Sequence, residues 1–464
     1  MEPLQRYATL RKLIPKSQSE LPRVLNASHA TSIVVGIIIG SGIFLVPREM
    51  MAAVGSSRGV YAVWIVGGLL SLFGAMTYAE IAAAHPRYGG EYAFLREAYG
   101  DLAGFLYMWT QITVAKPASL ATIAAGLARV LGTFAFLSFF ARPAFAHLLW
   151  GQIFAISMTW LITGLNIIGT RRSANVQLLL TWLKGLLILV IAGFCFGAAG
   201  GYGSWHNFAT EFAGARGGFT GFMIALVAAL WAYDGWSDVV TMAGEVERPQ
   251  RSMPLALVGG VAIVAVLYML TNAAIQYVLP ASAIAMADRP AADAMRIVAG
   301  HWGATLVSIG MAVSICATFV GSSLSGARVP FAAARDGLFF HQLAHVNRRF
   351  QTPSTALILQ AVLSSLLLLA IGRFQALFSL AIFSEWLFYA LTASTIFVFR
   401  AREPQADRPY SIWGYPVVPA LFIVAAAVLL VFSFADQPRN SLIGTAIILL
   451  GIPLHYLMRR WRQP

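Results

Sequence analysis

The sequence predicts an all-α integral membrane protein of twelve transmembrane helices, and three observations predict it. Of its 464 residues 58 % are hydrophobic and only 11 % charged, less than half the charged share of a globular domain, and mean hydropathy is +0.72. The apolar residues come in runs of about 20, the length a helix needs to cross a bilayer. Two of these runs, the first and the sixth, are interrupted near their centres by glycine and polar residues. A matched pair of interrupted spans is the sequence pointer to an inverted-repeat transporter with a site at mid-membrane.

The spans are placed at Ala30–Met51, Gly59–Ala84, Leu102–Leu131, His147–Ile168, Val176–Ala199 and Gly218–Met242, then at Pro254–Val278, Trp302–Pro330, Thr355–Ile371, Phe374–Phe399, Val417–Phe434 and Ser441–Met458. Residues 1–29 form a cytoplasmic N-terminal segment, 30–399 a ten-span core, and 400–464 the last two spans with the C-terminus. No long hydrophilic block remains for a soluble domain. An even count puts both termini on one side, and that side is the cytoplasm. Its loops carry about 21 Lys and Arg against about 8 opposite, Arg171, Arg172, Arg348 and Arg349 among them. Because the charges behind the net +13 are spread singly over loops, no nucleic-acid partner is expected; the partner is the lipid bilayer. The first 27 residues are polar, so no cleavable signal peptide is expected. Cys195 and Cys316 lie within apolar runs and give no extracellular disulfide framework.

Span 1 contains Gly36-Ile37-Ile38-Ile39-Gly40-Ser41-Gly42-Ile43-Phe44. Glycines weaken a helix, and unpaired backbone at membrane depth is tolerated only where it lines a cavity, so a binding site is expected here. The competing reading is close helix packing through the Gly36–Gly40 pair. Span 2 ends in Tyr78-Ala79-Glu80 near the cytoplasmic edge, where Glu80 is read as one half of a structural ion pair. In span 3 Lys116 precedes Pro117, and its ammonium is read as satisfying the carbonyl that the proline frees. Span 5 carries Lys184 with no acidic residue within a turn. It is either a clamp met by another helix, a proton carrier, or a side chain that snorkels to an interface.

Span 6 repeats the oddity of span 1, with Trp231-Ala232-Tyr233-Asp234-Gly235-Trp236-Ser237-Asp238 at its centre. Asp234 in that break is read as a ligand contact or as the cap of the restarted half. Glu385, in the middle of span 10, is read as an interhelical hydrogen-bond partner. His341 and His345 stand four apart in a loop, but no Glu follows His341, so no HExxH zinc site is formed. Neither a Walker A loop nor a GxSxG elbow occurs, no catalytic pair lies in the apolar core, and no cofactor or metal is expected. The chain does not read as an enzyme. A channel would conduct without saturation, and an intramembrane hydrolase would turn over substrate in detergent.

These landmarks resemble the amino acid–polyamine–organocation superfamily, and within it the L-type amino acid transporters. Gly36 to Phe44 is similar to the family's first-helix motif, and Tyr78-Ala79-Glu80 with Pro86 and Gly89-Gly90-Glu91-Tyr92 to its second-helix and first-loop signature. Lys116-Pro117 looks like a basic-Pro pair of the L-type branch, and Trp231 to Trp236 like its sixth-helix centre. Glu245 to Arg251 with Pro254, Ala334-Arg335-Asp336-Gly337, Trp386 to Tyr389 and Arg408-Pro409-Tyr410 complete the set.

The resemblance implies a LeuT-like fold of five-plus-five inverted helices with broken helices 1 and 6, carrying amino acids by alternating access. It implies that Ser41, Gly42 and Ile43 offer N–H groups to the substrate carboxylate and that carbonyls of Ile37, Ile38, Trp231 and Ala232 receive the ammonium. Asp234 lies beside them, Trp231 is the gate over the site, and Ser119 faces the pocket. Lys184 stands where sodium-coupled relatives hold a cation, as a tethered substitute for Na⁺. The chain departs from the pattern twice. Several relatives have Gly at the position of Asp234. The loop from Gly132 to Ala146 lacks the Cys through which animal L-type transporters hold a glycoprotein, so no disulfide-linked heavy chain is expected. The resemblance thus implies a sodium-independent amino acid exchanger in a prokaryotic inner (plasma) membrane. The alternative is a proton-coupled amino acid or amine symporter of the same fold, with Asp234, Glu385 or Lys184 titrating.

Overall fold

The first apolar run folds as two helices rather than one. In a computed structural model, which describes residues 21–145, 148–197, 201–370, 374–436 and 438–460, α1 (Ala27–Ile38) and α2 (Gly42–Val54) meet at a 42° bend. The Asn26 side chain caps α1 by accepting from the His29 N–H at 2.9 Å. α3 (Ser57–Ala84) returns, α4 (Glu91–Tyr99) lies short at its end, and α5 (Asp101–Thr110) leads through one π turn (Gln111–Ala115) into α6 (Lys116–Leu131). The π turn sits just before Pro117, whose missing N–H and bulky ring disturb the ladder one turn upstream.

A small hairpin of β1 (Pro143–Phe145) and β2 (Leu148–Leu149) precedes α7 (Trp150–Ile168) and α8 (Thr170–Gly197). The sixth run is broken as the first is: α9 (Gly218–Ala232) stops, residues 233–235 turn, and a 3₁₀ stretch (Trp236–Glu245) continues. Next come α10 (Pro249–Pro254), a π turn (Leu255–Gly259), α11 (Gly260–Val278) and α12 (Ala281–Met286). The chain is completed by α13 (Pro290–Gly326), α14 (Arg328–Arg335), α15 (Ser354–Ala370), α16 (Phe374–Arg402), α17 (Val417–Asp436) and α18 (Pro438–Arg460). α13 is kinked at Ala299 and Gly300, which sets a short helical piece from Pro290 apart from the eighth run, and that run starts just beyond the kink, beside Trp302.

Among the described residues nine helices are long and apolar enough to cross a membrane, ten with the bent α1–α2 pair taken as one, and α15 is apolar but shorter. This is a multi-pass helical membrane protein. Residues 1–20 of the N-terminal segment, the first residue of the expected fourth span, the last two of the fifth and the last of the ninth lie outside the described residues.

One face is tied together by charge. There the N–H groups of Val24 and Leu25 donate to the Glu245 carbonyl at 2.9 and 3.0 Å, and Tyr88 donates to the Leu21 carbonyl at 2.7 Å. Arg328, fully buried, grips Glu245 through Nε at 2.8 Å and Nη2 at 3.1 Å, and reaches Thr170 at 2.9 Å. Glu80 accepts two hydrogen bonds from Arg400 at 2.8 and 2.7 Å and one from the Ile412 N–H. It is the structural ion pair that its place at the end of span 2 indicates. His455, near the end of α18, packs on Phe105 at the start of α5, so the first and last described segments belong to this face, called below the side of the termini.

Candidate functional site

The two breaks face one another. Where α1 stops, the carbonyls of residues 36–40 lose their helical partners, and α8, α11 and α13 supply replacements. Lys184 on α8 donates to the carbonyls of Gly36 (2.7 Å), Ile39 (2.6 Å) and Ser314 (3.3 Å). From α13, Ser314 Oγ donates to Ile39 at 2.7 Å, and Thr318 Oγ1 lies 3.2 Å from the carbonyls of both Gly36 and Ile37. Tyr268 on α11 places its hydroxyl 3.0 Å from the Ile38 carbonyl and 2.7 Å from that of Ala232, linking the end of α1 to the end of α9.

The first-span glycines differ in their surroundings. A Cβ on Gly36 would stand 2.0 Å from Gln177 Nε2 on α8, so that glycine serves close packing. Gly40 lines the cavity described below. At the second break Gly235 adopts φ +99°, and a Cβ there would be 2.4 Å from Ile37. Only glycine satisfies both demands.

Between the breaks lies a cavity of about 130 Å³, several times the space one water needs. Ile37, Ile38, Ser41, Gly42, Ser119, Trp231, Ala232 and Asp234 all line it, whereas Ile43 is fully buried behind it. The restarted helix α2 points its first turn at the cavity, and Ser41 makes no side-chain cap on it. Its leading N–H groups therefore form an anion-attracting end. Across from it are the carbonyl ends of α1 and α9: Ile37 O lies 3.2 Å from Thr318 Oγ1, Ala232 O 2.7 Å from the Tyr268 hydroxyl, and Ile38 O accepts from the Gly40 N–H at 2.8 Å.

The wall on the side of the termini is ionic. Lys116 pairs with Asp238 at 2.5 Å, and Ser325 donates to the other Asp238 oxygen at 2.9 Å. This corrects the sequence-based reading of Lys116: the π turn relieves the backbone at Pro117, and the ammonium is taken by a carboxylate. Asp234 accepts from Tyr389 on α16 at 2.8 Å, and Glu385 of the same helix lines the cavity with it. Lys184 is 1 % exposed and reaches three carbonyls, so it clamps and does not snorkel.

Asp238, Tyr268, Ser314, Thr318 and Tyr389 were not singled out in the sequence. Asp238 and Tyr389 stood within quoted motifs, but only the packing of separate helices pairs them. The hydroxyls of Ser314 and Thr318, four residues apart on one helix face, were the signal available. His341 and His345 stay apart from this site, and among the described residues no three His, Cys, Asp or Glu side chains group to hold a metal.

Residues 25–455 match the family model described as amino acid permease. A serine/threonine exchanger of Bacillus subtilis (strain 168) is 31 % identical over 450 residues, 95 % of this chain and 98 % of that protein. The cystine/glutamate transporter of Homo sapiens is 29 % identical, over 95 % of this chain and 86 % of its own length. The b(0,+)-type amino acid transporter 1 of Mus musculus is 28 % identical over 92 % and 85 %. Such similarity identifies a transporter rather than an enzyme.

Proposed function

This chain belongs to the amino acid permease family of the amino acid–polyamine–organocation superfamily, and from that premise we propose that it is a sodium-independent amino acid exchanger working by alternating access. The observation that carries the reading is the cavity at which two interrupted helices present opposite ends. The N-terminal N–H groups of α2 suit a carboxylate, and the carbonyl ends of α1 and α9 suit an ammonium a few ångströms away. An α-amino acid carries both groups on one carbon. In this reading Ser41, Gly42 and Ile43 bind the carboxylate through their N–H groups. Ile37, Ile38, Trp231 and Ala232 bind the ammonium through carbonyls, with Asp234 beside it. Ser119 faces the side chain, and the Trp231 ring closes over the site.

The arrangement is that of twelve spans in a LeuT-like five-plus-five inverted repeat followed by two more, in the plasma (inner) membrane with both termini cytoplasmic. The Lys and Arg bias of the loops supports the orientation. Exchange is supported by the name of the Bacillus relative. No disulfide-linked heavy chain is needed: Cys195 is buried and Cys316 half-buried, both within helices. Lys184 takes the place of a bound Na⁺, since its fixed charge leaves no electrostatic room for a second cation.

Counterflow in proteoliposomes tests the function. Vesicles loaded with each of the twenty amino acids in turn are given a trace of labelled partner, with Na⁺ or choline outside. Accumulation of label that requires internal amino acid and is indifferent to Na⁺ is the expected result. Equal uptake into empty vesicles would rule out obligatory exchange.

A further inference from the structure

The cavity holds more acid than an α-amino acid with an apolar side chain can match. Four of its lining residues are ionisable: Lys116, Asp234, Asp238 and Glu385. Lys116 is the one basic residue of that lining among the described residues. Asp238 takes its ammonium at 2.5 Å, and Ser325 donates to the other Asp238 oxygen. Asp234 accepts from the Tyr389 hydroxyl at 2.8 Å, a neutral donor that leaves the carboxylate charge in place. In the amino acid reading Asp234 lies beside the substrate ammonium. That leaves Glu385, in the middle of α16, as the carboxyl with no cation assigned to it. Lys184 cannot serve, because it donates to three backbone carbonyls and stands outside the lining.

A second unmet group lines the cavity from α6. Thr122 is 8 % exposed, and its Oγ1 has no hydrogen-bond partner among the described residues. Buried hydroxyls in a span commonly bond the carbonyl one turn back, as Thr110 and Thr113 do earlier in the same span. Thr122 does not, so its oxygen remains to be met from the cavity. α6 and α16 pack on one another, which puts Thr122 and Glu385 on adjoining walls. The lining runs along α6 from Lys116 to Gly126, about 15 Å of helix rise, room for a long side chain extended from the breaks.

We propose that the substrate is an α-amino acid with a cationic side chain, and that Glu385 with the Thr122 hydroxyl forms the subsite for that cation. The proposal rests on the amino acid reading above and adds the substrate class. Ionisable groups at this depth are tolerated where they face water or a partner. In the open cavity water serves both carboxyls. In the closed state that alternating access requires, the substrate takes the place of that water. An ionised carboxyl shut in without a cation is strongly disfavoured. An apolar side chain leaves Glu385 in that condition, and an acidic one adds like charge beside it. A side-chain ammonium or guanidinium meets the carboxylate and has a further N–H for Thr122 Oγ1 to accept. Glu385 thus sets the side-chain charge, while the two helix ends and Asp234 hold the groups that every α-amino acid shares.

The test is competition in counterflow, with the purified full-length protein in proteoliposomes loaded with the twenty amino acids. Arginine and citrulline have nearly the same shape, and only arginine has a charged side chain; lysine and norleucine differ by the ε-ammonium. Labelled arginine should enter wild-type vesicles. Arginine and lysine should compete with it at least ~10-fold more strongly than citrulline and norleucine. Glu385→Gln keeps the side-chain shape, removes the charge and should lower the arginine-to-citrulline preference at least ~10-fold. Thr122→Val removes a hydroxyl and no charge and should lower the same preference to a smaller extent, so it decides the matter if Glu385→Gln does not reconstitute. Wild-type protein that exchanges citrulline as well as arginine would overturn the proposal and leave the amino acid reading standing, as would either variant keeping the wild-type preference. Failure of the wild type to take up any labelled member of the twenty would overturn the amino acid reading, and this proposal with it.

Discussion

Replacing Lys184 by Ala should leave the protein folded and cripple transport. The Nζ makes two short charge-assisted bonds, to Gly36 O at 2.7 Å and Ile39 O at 2.6 Å, and one long one to Ser314 O at 3.3 Å. At about 1.5–3 kcal/mol each, the short pair is worth about 3–6 kcal/mol gross. Holding an ammonium away from water costs several kcal/mol in return. Nor does truncation orphan the carbonyls. Gly36 O keeps the Thr318 hydroxyl at 3.2 Å, Ile39 O keeps Ser314 Oγ at 2.7 Å, and Ser314 O lies within α13, whose own backbone ladder serves it. Net stability should therefore move by less than about 2 kcal/mol. The position of the break is another matter, because the same ammonium ties α1, α8 and α13 at one point. Losing about 3 kcal/mol of preference for the held geometry lowers the population able to bind by roughly 100-fold. The assay is counterflow in proteoliposomes beside apparent melting in detergent, each with Na⁺ or choline. A fully active Lys184→Ala would refute the reasoning, and so would a wild-type rate that rises several-fold with a Na⁺ gradient.

At the helix 2 start, a Cβ on Gly42 would meet Ala232 at 3.4 Å, ordinary contact, so Gly42→Ala should keep measurable transport. Gly42→Val, whose extra methyls enter the cavity, should abolish it; normal amino acid binding by Gly42→Val would place the site elsewhere. Asp234→Asn should weaken amino acid binding by roughly 1–3 kcal/mol and spare an analogue lacking the amine, as read by calorimetry; equal losses would mark Asp234 as a structural group. Arg328→Ala leaves Glu245 buried without its cation and should destabilise by about 3–5 kcal/mol, visible as a fall in apparent melting temperature. Because burial raises the Glu91 carboxyl to about 7, its neutral form is favoured in the folded protein. Its contribution to stability is therefore full below about 4.5 and is lost as pH rises through 7. Glu91→Gln should flatten the dependence of apparent melting on pH between these limits, and an unchanged slope would count against it.

What could be read from the sequence was whatever lies along one stretch of chain. Apolar runs mark spans because each helix must satisfy its own backbone in lipid. The breaks at Gly40-Ser41-Gly42 and Asp234-Gly235 show because glycine and carboxylate are costly at that depth. Glu80 could be assigned a partner in kind, though not by name. Lys116 could not, because the choice between a nearby carbonyl and Asp238, 122 positions away, is made by how α6 packs on the second break. The seals on α1 by Tyr268, Ser314 and Thr318 were hidden for the same reason. A hydroxyl in an apolar run more often bonds its own helix, as Thr159 and Thr163 do here.

The placement of charge explains which way the cavity faces. From Lys116 its lining climbs α6 to Gly126, and from Ser322 it climbs α13 to Ile315, in both cases away from the termini. On the side of the termini the route meets the Lys116–Asp238–Ser325 floor, then the fully buried Arg328–Glu245 pair, then Glu80 with Arg400. On the far side Arg48 of α2 pairs with Asp288, both exposed, a kind worth less than about 1 kcal/mol. Breaking buried pairs costs several times more than breaking exposed ones. The conformation described is thus closed toward the termini, and its opening there needs a contribution from bound substrate. A transporter whose door on the side of the termini opens only with bound substrate resists opening empty, and under the proposed exchange that asymmetry would be what suppresses leak.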